Sequence, residues 1–131
     1  MTKEIGLKGF FVKDESYRFG LNAFKVLGAS YAIANIIREK IGLYEYKFNF
    51  DDIFTKIGMR VLANNISDDK KIISGESGAV TSGIVYSLMT DNSLRNYREK
   101  IGLYKDSVVL SISTEGDTDK KSYKEIICGE K

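Results

Sequence analysis

At 131 residues the chain is long enough for one compact domain and short for two, so a single domain over residues 1–131 is expected. A composition of 43% hydrophobic and 29% charged residues is that of a soluble globular protein, and a net charge of +2 supplies no electrostatic footprint for nucleic acid. The sequence has no histidine and one cysteine, Cys128, which excludes Ser-His-Asp and Cys-His catalysis, His-bearing zinc sites and an internal disulfide within this chain.

Chemistry is therefore left to lysine, carboxylates, tyrosine and hydroxyls. No run of residues approaches the length of a bilayer span, and charges interrupt the short apolar stretch of MTKEIGLKGFFVKDES at the N-terminus. A cytoplasmic protein with no signal peptide and no membrane partner is expected.

The first predicted element is a buried strand over residues 8–14, KGFFVKD, rich in aromatic and β-branched side chains. After a loop through Gly20, Asn22 can cap a helix whose Phe24, Leu27, Tyr31, Ala34 and Ile37 form one stripe, and Gly42 ends it. Asn49 can cap a second helix in which Phe50, Ile53, Phe54, Ile57, Val61 and Leu62 keep helical spacing across Gly58. Residues 70–78, KKIISGESG, read as a short strand or extended turn entering a Gly/Ser loop, and AVTSGIVYSLM as a helix whose small residues permit close packing. Ser93 can cap a short helix that closes at Gly102. The heptapeptide REKIGLY occurs twice, at 38–44 and 98–104, but its surroundings differ, and the pattern is that of an ordinary helix stop. SVVLSIS, residues 107–113, is the clearest strand, and Thr118 or Asp119 can cap a last helix running through Ile127. Strands alternating with helices predict an α/β fold, a small parallel sheet with flanking helices. So small a sheet buries little, which favours association into a homo-oligomer.

Three stretches can carry chemistry. Lys25 lies one turn into its helix among Ala23, Phe24, Val26 and Leu27, where apolar surroundings and the positive helix end lower an amine's pKa and leave it able to attack a carbonyl. A lysine snorkelling from a helix end fits the same spacing. SGESGAVTSG, residues 74–83, places Ser74, Gly75, Glu76, Ser77 and Gly78 before a helix whose free N–H groups can hold phosphate, although Glu76 would repel it; a plain capped helix fits equally. LSISTEGDTD, residues 110–119, ends a strand in Ser113, Thr114, Glu115 and Asp117, at the sheet edge where parallel folds bind ligands and where turns are also commonly polar.

The segments VKDESYRFGLNAFKVLGASYAI, GMRVLANNISDDKKIISGESGAV and VVLSISTEGDTDKKSYKEII together resemble diaminopropionate ammonia-lyase, in that family's order. The resemblance implies a truncated form of the tryptophan-synthase-β-like fold, pyridoxal 5′-phosphate as cofactor, and elimination of ammonia from the small amino acid 2,3-diaminopropionate to give pyruvate. It implies Lys25 as the catalytic lysine that bonds the cofactor. Asn22, the loop residues Ser74, Gly75, Glu76, Ser77 and Gly78, and Ser113 and Thr114, near the hydroxyl offered to the pyridine nitrogen, are the other implied cofactor-binding residues. Residues 1–57 resemble the family's N-terminal cofactor-lysine segment and residues 58–131 its C-terminal segment, and the family's middle is absent. With the middle go the Gly-rich phosphate cup, the Asn-bearing loop over the ring and the acids of proton transfer. The expectations that follow are little or no turnover or, alternatively, a non-enzymatic protein that associates with itself or with a full-length relative. A third reading has two copies assembling a pocket in which SGESG replaces the phosphate cup.

Overall fold

The computed structural model describes residues 2–17, 53–64 and 69–129. Asn22, Lys25, the stripe of Phe24, Leu27, Tyr31, Ala34 and Ile37, the first REKIGLY copy and the Asn49 cap lie outside the described residues.

The chain opens with one helical turn, α1 (Thr2–Ile5), which the sequence patterning does not announce; Gly6 ends it at φ 71°, a left-handed conformation that a Cβ would disfavour. Ile5 and Leu7 are buried by this turn. Strand β1 (Gly9–Asp14) follows and pairs in parallel with β2 (Val108–Ser113), from Gly9 opposite Val108 to Asp14 opposite Ser113. The expected small parallel sheet is thus present with two strands among the described residues.

Strand β1 is not the fully buried strand that its composition suggests. Side chains alternate across a strand. Phe10, Val12 and Val109 pack against the helices, while Phe11, Val108, Leu110 and Ile112 stand on the other face at 50–66% exposure. The run was apolar on both faces because of its residue types, yet among the described residues helices cover only one.

That covered face rests on α3 (Glu76–Thr90), the central helix, which crosses α2 (Ile53–Ala63). Their backbones touch: a Cβ built on Gly58 would strike the Ala79 carbonyl, and one on Gly83 the Phe54 carbonyl. Gly58 therefore sits inside an unbroken helix because the crossing requires it, as the continuous spacing through it implies. Two apolar clusters flank the crossing, one with Ile5, Leu7, Phe54, Ile84, Leu88 and Leu103, the other with Met59, Leu62, Ala63, Ala79 and Tyr123.

Residues 70–75 are extended but form no strand, and the Ile72 N–H donates to the Leu62 carbonyl at 2.9 Å, tying the segment to the end of α2. After α3 comes a 3-10 turn (Asn92–Leu94) and α4 (Arg95–Lys100). The cap is Asp91 rather than Ser93. Its carboxylate accepts from the Ser93 N–H at 2.8 Å and the Ser93 hydroxyl at 2.7 Å, and these bonds hold its pKa below the ordinary 3.8. Gly102 then closes the helix at φ 72°, as the helix-stop pattern predicts. Asp119, not Thr118, caps α5 (Lys120–Cys128) by accepting from the N–H groups of Lys121 and Ser122 at 3.0 and 3.1 Å. No helix among the described residues is long and apolar enough to cross a membrane.

Candidate functional site

The two polar stretches singled out at 74–78 and 113–115 meet at the C-terminal end of the sheet. Strand β2 ends at Ser113, and the loop that leads into α3 runs alongside its exit because the Gly75 N–H donates to the Glu115 carbonyl at 3.0 Å. On the other side, the Glu15 N–H, just past the end of β1, donates to the Ser113 carbonyl at 2.9 Å, so the exit of β2 is held at Ser113 from one side and at Glu115 from the other.

This placement turns two serines toward each other. The Ser113 hydroxyl donates to the Ser74 hydroxyl at 2.8 Å, and both residues are fully buried. Ser74 reaches the Gly75 carbonyl only at 3.4 Å, a long bond that leaves its proton weakly held. Thr114 is buried beside them. Toward the other end of β2, the Ser111 hydroxyl bonds Thr81 at 2.7 Å and Ser82 at 3.2 Å, so a seam of hydroxyls joins α3 to the strand. Small residues are needed along it: a Cβ on Gly78 would lie 2.6 Å from the Ser74 oxygen.

At the N-terminus of α3 the expected free N–H groups are not all free. The Ser77 N–H donates to Glu115 Oε1 at 2.9 Å, which places a carboxylate where an incoming anion would bind. Glu76, considered from sequence as the group that would repel phosphate, is exposed; Glu115 is the acid that occupies the helix end. Local spacing gives no signal for this, since the partners are 38 positions apart.

Below the loop lies a cleft of about 130 Å³ lined by Gly75, Glu76, Glu115, Asp117 and Tyr123 among others. The Tyr123 hydroxyl, buried there, has no hydrogen-bond partner among the described residues. Burial, and after it the Asp117 charge, raises its pKa above the ordinary 10.0. Among the described residues no cluster of acids and cysteine is arranged to hold a metal ion.

No protein-family model matches the chain. Diaminopropionate ammonia-lyase from Escherichia coli strain K12 is 49% identical over 76 residues, which is 58% of this chain and 19% of that enzyme. Part of this chain is homologous to diaminopropionate ammonia-lyase. The enzyme of that name from Salmonella typhimurium is 36% identical over 93 residues, covering 70% of this chain and 22% of the relative. The chain therefore spans about a fifth of the length of the curated relatives that it matches. Crystal structures of the Escherichia coli diaminopropionate ammonia-lyase, in complex with an aminoacrylate-PLP azomethine reaction intermediate or with D-serine, are similar to it with a TM-score of 0.55 and 49% identity. Each similarity covers 58% of this chain and 20% of the crystallised one. The α/β arrangement is thus shared over part of a homologous enzyme for which pyridoxal phosphate is the cofactor.

Proposed function

We propose that this chain is an internally shortened relative of diaminopropionate ammonia-lyase, with residues 1–57 and 58–131 corresponding to that family's N-terminal and C-terminal segments. In this reading it keeps the ring-facing part of a pyridoxal phosphate site. The observation that carries the reading is the buried Ser74–Ser113 pair, brought together across the α3–β2 seam. A pyridine nitrogen kept neutral is a hydrogen-bond acceptor. Two hydroxyls that share one bond between them retain a second proton for it, and the long Ser74–Gly75 contact makes Ser74 the better donor.

The chemistry of the two hydroxyls suits the ring end of the cofactor; that of the α3 N-terminus does not suit its phosphate end. The α3 N-terminus is taken by Glu115, and the sequence holds no G-x-G-x-x-G cup. The occupied helix end also argues against the reading in which SGESG stands in for that cup. Lys25, outside the described residues, is the proposed attachment point, and Asn22, three positions before it in the sequence, is a proposed cofactor-binding residue. When bound, the cofactor supplies an electron sink for the pair left on Cα as its proton departs. Without a phosphate cup and the acids of the missing middle, little of the preorganisation that lowers a barrier remains, so the expected turnover of diaminopropionate is slight.

The test is addition of pyridoxal phosphate to the purified chain, borohydride reduction and mapping of the adduct by mass spectrometry. A saturable adduct confined to Lys25 supports the reading. Labelling spread over surface lysines, or none, overturns it. Pyruvate release from diaminopropionate at a rate typical of enzymes would overturn the expected loss of activity.

The exposed sheet face favours a second reading, that of a non-enzymatic protein that pairs with a second copy of itself. Phe11, Val108, Leu110 and Ile112 form a continuous apolar surface. Such surfaces favour association.

A further inference from the structure

The residue that ties the candidate site together is Glu115, and it does so through both backbone and side chain. Its carbonyl accepts from the Gly75 N–H at 3.0 Å and its carboxylate from the Ser77 N–H at 2.9 Å. Between those anchors the fit is close on all sides. A Cβ added at Gly75 would lie 2.8 Å from Glu115 Oε1, and one added at Gly78 would lie 3.0 Å from the Glu115 carbonyl oxygen. The loop carrying Ser74 is thus gripped immediately after Ser74 and again two residues later, by the residue that stands two places beyond Ser113.

We infer that Glu115 is the positioning residue for the Ser74–Ser113 pair and the built-in occupant of the α3 N-terminus, closing that helix end to phosphate. A carboxylate tethered by the chain competes with a free anion at high effective concentration, and it complements the positive end of α3. Glu76 and Asp117, which line the adjoining cleft, add like charge against any incoming phosphate. Any part the Ser74–Ser113 pair plays in orienting pyridoxal phosphate rests on the function proposed above; the occupancy of the helix end does not.

Backbone amide exchange, followed by NMR in the wild type, Glu115→Gln and Glu115→Ala, tests the inference. Loss of the side chain is expected to speed exchange at the Ser77 amide by roughly ten-fold or more, the scale of a lost hydrogen bond to a charged acceptor. Glu115→Gln, whose amide oxygen still accepts, is expected to restore protection. Inorganic phosphate titrated into the three proteins should shift the Ser77 and Gly78 amides in Glu115→Ala alone. Equal Ser77 exchange in the wild type and Glu115→Ala overturns the inference, as does a phosphate shift at Ser77 in the wild type. Should Glu115→Ala not fold, the wild-type titration decides: silence at Ser77 sustains the occupied helix end, and a saturable shift there removes it. Failure to label Lys25 with pyridoxal phosphate would sink the cofactor reading and leave the Ser77 result intact.

Discussion

At Tyr123 one buried hydroxyl has no partner among the described residues, although its ring packs with Met59, Leu62 and Ala79. Burying a hydroxyl without a hydrogen bond is unfavourable, so removing it should cost nothing and can gain stability. Tyr123→Phe is expected to leave the unfolding free energy unchanged or raise it by about 1 kcal/mol at neutral pH, measured by denaturant titration. The pH dependence follows from the raised pKa. The neutral phenol is favoured in the folded state, so this contribution is fully present below the unfolded value of 10.0 and is lost as the pH rises through the folded value. Stability should therefore decline above pH 10.0 more steeply in the wild type than in Tyr123→Phe, and parallel curves would contradict the assignment. The sequence places Tyr123 on a helix capped by Asp119, yet nothing in its local spacing says that Asp117 bears on its hydroxyl.

At the scale of elements, the α2–α3 crossing depends on Gly58 and Gly83, which let two helix backbones touch where any side chain would collide with a carbonyl. Gly83→Ala cannot be absorbed by a rotamer change, because the obstacle is the Phe54 backbone. A loss of about 2 kcal/mol or more is expected, read as a drop in the thermal midpoint, with separation of the helices as the structural consequence. An unchanged midpoint would mean that the helices do not approach so closely. The crossing was half legible: the helical spacing through Gly58 and the small residues of AVTSGIVYSLM indicate close packing, but not which glycine faces which carbonyl. Caps were legible in part. Asp119 was one of two candidates, whereas Asp91 caps the 3-10 turn that precedes α4 and its carboxylate accepts from both the N–H and the hydroxyl of Ser93, which makes Ser93 the capped residue rather than the cap.

For the whole molecule, the exposed sheet face is the feature on which the proposed self-association rests. Phe11, Val108, Leu110 and Ile112 are half exposed or more, and burying them against a second copy would remove apolar area from water. Light scattering over a concentration series is expected to show reversible association, and Leu110→Lys, with a charge at the centre of the face, is expected to shift the protein toward monomer. A wild type that stays monomeric at high concentration would refute this. By itself the sequence determined the α/β class, the strand at Val108–Ser113, the helix through Gly58 and the residue types of the candidate site, because each follows from periodicity, turn chemistry and resemblance along the chain. Only the tertiary structure decided that Ser74 meets Ser113, that Glu115 fills the α3 N-terminus and that one sheet face lies open. Those depend on contacts between residues dozens of positions apart, set by parallel pairing and the glycine crossing, which no local pattern encodes.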